Sequence, residues 1–308
     1  MKTDHMATDI KTKVILPVIL LLLLAYTSVY AQQEKIPVKH LTDMYNAIKA
    51  GKVSLLGEKD IHVRSERNGN ILKADVYAIT PNSLDDLYKA ISMPDNWCEF
   101  VPLHLNIKSC TYTQGPQPTI TFYAGRKFYE PPEDAFELKY QFQTTEHETD
   151  KFRVQLTAKD GPLGTSDYTI VVEALSLENE TLLHMGLSYK TGLTSRAATW
   201  GYLSTIGKDK VGFSIVEQKA GNPVYIKGIN GIIERNVMRY FLALSVYLDT
   251  LNLDTDELFL RRAEAWYDLT EEYATQLHEL DKQEYIEAKQ KEYINQQEMQ
   301  RKIEKWNR

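Results

Sequence analysis

The sequence predicts an α+β protein in which an antiparallel meander of about six strands is covered on one face by a long helix. Three observations predict it. Between His104 and Tyr189 the chain alternates apolar and polar residues in short runs, as in Phe136, Leu138, Tyr140 and Phe142 against Glu137, Lys139, Gln141 and Gln143. The breaks between runs are turn chemistry only a few residues long, such as Gln114-Gly115-Pro116, Pro131-Pro132-Glu133-Asp134 and Gly161-Pro162-Leu163-Gly164. Connections that short join antiparallel neighbours. Residues 231–251 then place Ile233, Val237, Tyr240, Phe241, Leu244, Leu248 and Leu251 on one helical stripe, the natural cover for the apolar face.

The elements follow in order. Lys11 and Lys13 precede an apolar run, Val14 to Ala25, and small or polar residues end at Val29-Tyr30-Ala31. That run is about 12 residues, short of the roughly 20 a spanning helix needs. Residues 1–31 therefore read as a secretory signal peptide cleaved after Ala31, with the mature chain in the periplasm or outside the cell. An uncleaved anchor over Val14 to Ala31 is the alternative, weakened by Pro17 and the Thr27-Ser28 pair. Residues 32–59 form an N-terminal helical segment, with Leu41, Met44, Tyr45 and Ile48 on one face and Gly51 as its stop. Residues 60–253 hold the main domain. It opens with a hairpin at 61–79 around Asn68-Gly69, then a helix after Pro81-Asn82-Ser83, then a short helix after Pro94 carrying Trp97. Strands are expected at 104–113, 118–129, 135–146, 151–160, 165–177 and 181–190, a short helix at Ser195 to Ile206, and the covering helix at 231–251. Residues 194–230 are the least legible stretch. Residues 254–308 form a charged helical extension, docked at first through Trp266, Leu269, Tyr273, Leu277 and Leu280; after Leu280 the stripe fades into mixed charge, which predicts over 281–308 a solvated or self-associating helix dispensable for folding.

This order resembles the START-like helix-grip superfamily, which includes steroidogenic lipid-transfer domains, plant pollen allergens and polyketide cyclases. The wording is similar too: Val76-Tyr77-Ala78-Ile79, Pro81-Asn82-Ser83-Leu84-Asp85-Asp86-Leu87-Tyr88, Pro94-Asp95-Asn96-Trp97 and Phe100-Val101-Pro102. The resemblance covers about residues 61–251 and departs at 194–230. A secreted bacterial branch is suggested by Gly161-Pro162-Leu163-Gly164-Thr165 and by Gly231 to Tyr240. What the resemblance implies is a hydrophobic cavity between sheet and helix, with a lipid or other apolar small molecule as its occupant. It brings no universal catalytic residue.

Composition narrows the partners. The 308 residues carry a net charge of −6, and the leader contributes positive charge, so the remainder is more acidic still and poorly suited to nucleic acid. No metal-ligand spacing, phosphate loop or cofactor motif is present. Cys98 and Cys110 are the two cysteines. In an exported chain an even pair predicts an intramolecular disulfide; two buried thiols are the alternative.

The candidate ligand-binding residues are Arg126, Tyr140, Phe142, Glu234, Arg235, Arg239 and Tyr240. Arg126 shares even spacing with Ile120, Phe122, Ala124 and Phe128, so an inward guanidinium would need a partner, with Glu234 the obvious acid and a ligand headgroup the alternative. A strand-end arginine reaching water is the plainer reading. Arg235 and Arg239 are four apart beside Asn236 and Tyr240, and suit an anionic group at a cavity mouth. No catalytic residue is assigned: His104 and His184 have no acid or nucleophile at a recognisable spacing. Two rival functions share the fold, a cyclase or hydrolase using Arg126, Tyr140 or Glu234, and an envelope scaffold associating with a protein or itself through residues 256–308.

Overall fold

A computed structural model describes residues 36–306 apart from 58, 206 and 256, so the leader and its cleavage site lie outside the described residues. Helix α1 (Val38–Lys49) precedes the hairpin β1 (Ile61–Asn68) and β2 (Ile71–Thr80), which turns at Gly69 with φ of 60°. Ser83 then caps α2 (Leu84–Ile91) by accepting the Asp86 N–H at 3.2 Å. Pro94 opens α3 (Pro94–Phe100), where a missing N–H costs nothing, and Trp97 Nε1 donates to the Ile91 carbonyl at 2.8 Å, locking the α2–α3 corner.

Six strands follow as expected: β3 (Ile107–Thr113), β4 (Thr119–Ala124), β5 (Phe136–His147), β6 (Lys151–Asp160), β7 (Ser166–Leu177) and β8 (Glu180–Lys190). With the hairpin they form one eight-stranded antiparallel sheet, ordered β1-β2-β8-β7-β6-β5-β4-β3. The register aligns Val76, Met185, Val172 and Val154 across four strands, and Leu138, Phe122 and Cys110 across three, so one face is apolar throughout. Helix α5 (Gly228–Asp249) packs on that face against β1, β2 and β8. Between sheet and α5 the stretch 194–230 resolves into α4 (Leu193–Ser204) and a hairpin, β9 (Ile215–Lys219) with β10 (Asn222–Tyr225).

The opposite face of the sheet, expected from the alternation to be wet, is in part buried. Leu41, Met44, Tyr45 and Ile48 of α1 pack on Tyr77, Leu175 and Leu182 there. Beside them runs a cross-strand row of Tyr77, His184, Glu173 and Arg153. His184 Nε2 lies 2.8 Å from Asp75 Oδ1 and Nδ1 lies 3.2 Å from Glu173 Oε2, while Arg153 pairs with Glu173. Arg64 and Lys73 complete the charge around Asp75 at 3.4 and 3.3 Å. Burial raises the Asp75 carboxyl, but His184, Lys73 and Arg64 outweigh it and hold the pKa at about 2.

The larger correction concerns the C-terminus. Helices α6 (Leu258–Glu271), α7 (Ala274–Leu277) and α8 (Lys282–Trp306) belong to the same compact unit as the sheet, and α8 packs against β3. Strand β3 is a sheet edge, with unpaired backbone groups that need a partner. Two glutamines one turn apart supply it. Gln296 Oε1 accepts the Cys110 N–H at 2.8 Å and its Nε2 donates to the Cys98 carbonyl at 3.0 Å; Gln300 accepts the Tyr112 N–H at 3.0 Å and donates to its carbonyl at 3.3 Å. One turn earlier, Glu292 joins Lys108 at 2.8 Å and Lys289 at 2.7 Å, all three essentially inaccessible at 1–2% side-chain exposure. Lys289 also donates to the His104 and Ile107 carbonyls at 3.0 and 2.9 Å. The face of 256–308 expected to serve self-association or a protein partner is therefore, over α8, committed within the chain. Cys98 and Cys110 are disulfide-bonded, with Cα atoms 5.1 Å apart, tying α3 to the same edge strand.

Candidate ligand-binding cavity

Beside the N-terminal half of α5, between that helix, α4 and the sheet, a cavity of 370 Å³ opens. That size lies at the small end of ligand pockets. Its wall on α5 is Ile232, Arg235, Asn236 and Arg239, the i, i+3, i+4, i+7 face of one helix. The sheet contributes Tyr168 and Tyr189, which share parity with the inward Ile170, Val172, Met185 and Leu187 and stack with centroids 4.9 Å apart. Ser195, Ala198, Thr199 and Tyr202 of α4 close it from above, and the Pro162–Gly164 turn borders it. Glycine is required in that turn, because a Cβ on Gly161 would come 2.2 Å from the Tyr168 ring.

The charges are unevenly shared. Lys127, Arg235 and Arg239 line the cavity with one acid, Glu279. The Glu279 carboxylate is met by Lys127 at 2.7 Å, Arg239 at 3.1 Å and Lys210 at 3.2 Å. Burial pushes its pKa up, but Arg239, Lys127 and Lys210 more than offset that and leave it lowered. Burial lowers the Lys127 ammonium, and lowers Arg239 to about 10, which leaves the guanidinium charged at neutral pH. The Arg239 side chain is 2% exposed, and its Nε has no hydrogen-bond partner. His104 stacks on Tyr240, the neighbour of Arg239 in sequence, at 4.5 Å and accepts the Asn106 N–H on Nδ1 at 3.1 Å. A neutral ring then carries its proton on Nε2, which is also unpartnered. Among the described residues no group of three or more His, Cys, Asp or Glu could hold a metal ion.

The deciding observation for the fold is a single antiparallel sheet whose apolar face holds one long helix, with a cavity left at the end of their contact. The chain has the START-like helix-grip fold. No protein-family model matches the sequence, and no curated protein does. Solved structures similar to it include truncated norcoclaurine synthase from Thalictrum flavum, at 13% identity and a TM-score of 0.35 over 62% of this chain and 100% of that one. Human StAR-related lipid transfer protein 5 is similar at 9% identity and a TM-score of 0.38, over 70% of this chain and 99% of that one. A protein from Thermus thermophilus has 10% identity and a TM-score of 0.35, over 59% and 99% of the two chains.

Within this START-like frame the expected site residues separate. Arg235 and Arg239 line the cavity. Tyr240 turns to His104, while Tyr140 and Phe142 lie in the packed core against Phe122 and Trp97 and are not among the lining residues. Arg126 does not point inward: β4 ends at Ala124, alternation stops, and the side chain is 66% exposed on Glu130 at 3.0 Å. Its neighbour Lys127 faces the cavity instead. Glu234 is not its partner. The Glu234 carboxylate accepts the Ser65 and Ser214 hydroxyls, both at 2.6 Å, and the Phe213 and Ser214 N–H groups at 2.6 and 2.9 Å, closing β1 onto the 213–214 loop. A Cβ on Gly212 would come 2.5 Å from that carboxylate. The residues named for a cyclase or hydrolase, Arg126, Tyr140 and Glu234, thus do not converge. Sequence reasoning misses Tyr168, Tyr189, Tyr202, Lys127 and Glu279; the parity of the first two is a usable signal.

Two other hollows, of 600 and 460 Å³, open beside the 54–57 loop and beside Pro81 and Asn82. Size alone would favour them. Neither brings several cations to one acid or meets a buried polar atom without a partner, and that chemistry selects the cavity on α5.

Proposed function

We propose that this protein is exported and binds an apolar small molecule or single-chain lipid in the cavity between sheet, α4 and α5. The observation that carries the reading is the cavity itself, walled by three tyrosines and left open by side chains that elsewhere pack the same sheet face solid. Exposed apolar side chains support a greasy cargo: Leu163 lines the cavity, and the same helix α4 that closes it also exposes Leu193 and Trp200. Export is supported by the leader at 1–31 and agrees with a disulfide, which persists in oxidising compartments. The modest volume favours one acyl chain or a small ring system over a two-chain lipid.

Native mass spectrometry of protein secreted from an oxidising host and purified without detergent tests both parts. The expected result is a mature chain beginning at Gln32 with a bound organic mass released by solvent extraction. A chain retaining residues 1–31 would refute cleavage. A bare chain that also takes up no member of a fatty-acid, sterol and aromatic panel would refute the cavity as a binding site.

A further inference from the structure

We infer that the cavity is built for an anionic amphiphile, whose carboxylate, sulfonate or phosphate is held by Arg235, Arg239 and Lys127 while its apolar body lies on Tyr168, Tyr189 and Tyr202. This rests on the reading of the cavity as a ligand site and adds the chemistry of what enters it.

The first argument is charge. Three cations line the wall against one carboxylate, and that carboxylate is already shared with Lys210 from outside. One negative charge cannot neutralise them, and burial makes the imbalance costly. The second is unused donors. A guanidinium has five N–H donors in a planar fork. Arg239 spends Nη2 on Glu279 at 3.1 Å and on the Leu277 carbonyl at 3.2 Å, while its buried Nε has no partner. Arg235 donates from Nη1 to the Val211 carbonyl at 3.0 Å. Two arginines four apart on one helix face can clasp a planar or tetrahedral anion from the same side.

The third argument concerns the rest of the wall. A free inorganic anion would satisfy the cations and leave the stacked Tyr168 and Tyr189 rings uncovered, with Lys127 Nζ lying over the Tyr202 ring at 5.6 Å. A neutral sterol or hydrocarbon would cover the rings and bury the arginine donors against nothing. An amphiphile with one anionic head answers both halves.

Two probes with the same aromatic body separate the possibilities: 8-anilino-1-naphthalenesulfonate, which is anionic, and N-phenyl-1-naphthylamine, which lacks the sulfonate. Fluorescence titration of the folded, disulfide-bonded protein should show the sulfonate binding at least about tenfold tighter. Lys127→Gln/Arg235→Gln should abolish that preference, bringing the ratio of the two probes' affinities to about one. Lys127→Gln alone, at a more exposed position, keeps the test open if the double variant does not fold. Equal affinities in the wild type, or a preference that survives the variants, would overturn the anion assignment while the neutral probe still certifies the cavity. Failure of both probes would instead remove the cavity reading beneath it. Inorganic phosphate binding as tightly as the sulfonate probe would overturn the amphiphile and leave a free-anion site.

Discussion

Replacing Glu292 by alanine removes the carboxylate that Lys108 and Lys289 meet at 2.8 and 2.7 Å beneath α8. Breaking a buried ion pair from one side costs about 3–5 kcal/mol, because the surviving charge stays desolvated. The structure sets a ceiling of its own. Burial, with Lys108 close by, lowers Lys289 to about 8 even with Glu292 present. Without Glu292 it falls further and Lys289 escapes by losing its proton; since the wild type already carries the penalty down to about 8, Lys289 itself adds at most about 1.4 kcal/mol at pH 7, at ~1.4 kcal/mol per pH unit. Lys108, equally buried and left without its carboxylate, carries the remainder of an expected loss of about 3–5 kcal/mol. The sign with pH follows: a lysine lowered on folding penalises the native state at low pH, and the penalty lifts as pH rises from its folded toward its unfolded value. In the wild type that recovery begins near pH 8; in Glu292→Ala it begins lower, so the difference narrows as pH approaches 8. Urea unfolding followed by tryptophan fluorescence reads it, since buried Trp266 stacks on Tyr285 of α8 at 5.2 Å. With a denaturant slope of roughly 3 kcal/mol/M the midpoint falls by about 1 M or more. A loss under about 1 kcal/mol, independent of pH, would refute the placement of α8 in the core.

Gln296→Leu should cost about 2–3 kcal/mol by leaving the Cys110 N–H and Cys98 carbonyl unpaired; if hydrogen exchange finds the Cys110 amide as protected as in the wild type, the capping role of that glutamine fails. His104 is pushed well below its ordinary 6.5 by burial and then by Arg239, Lys289, Lys108 and Lys127, so the unfolded chain takes up a proton that the native state refuses. Stability then falls as pH drops, by about 1 kcal/mol more in the wild type than in His104→Phe between pH 6.5 and 5.5, and parallel thermal-unfolding profiles of the two would contradict that. Reducing the Cys98–Cys110 bond, which spans a sequence separation of 12, should lower stability by about 2–3 kcal/mol, as read by urea unfolding with and without reductant; an unchanged midpoint would contradict it.

The strands were legible because a period of two survives wherever one face is buried, and β6 runs from Lys151 to Asp160 as its alternation indicates. Alternation misled at β4, where Gly125 ends the strand. A Cβ there would meet Glu130 at 2.9 Å, and the tight turn hands the cavity Lys127 in place of Arg126. The buried face of α8 escaped notice because its inward positions are Lys289, Glu292 and Gln296, and what they bury against is the backbone of an edge strand, to which an apolar stripe gives no clue. Asp75, Glu173 and His184, opposite in parity to the inward Val76, Val172 and Met185, are buried as well, because they pair with one another on the far face. Two of the cavity's cations were visible as an i, i+4 pair on α5; Glu279, the acid that Arg239 meets, sits on a link far along the chain, where only the fold brings it near.

The cavity on α5 as the ligand site is tested most directly by filling it. Ala198 lies on the α4 wall, so Ala198→Trp should occupy the space with an indole and leave the sheet untouched. Titration with N-phenyl-1-naphthylamine should give saturable binding to the wild type and at least about tenfold weaker binding to the variant at an unchanged melting temperature. Equal affinity in the two proteins would place the ligand elsewhere and contradict the account.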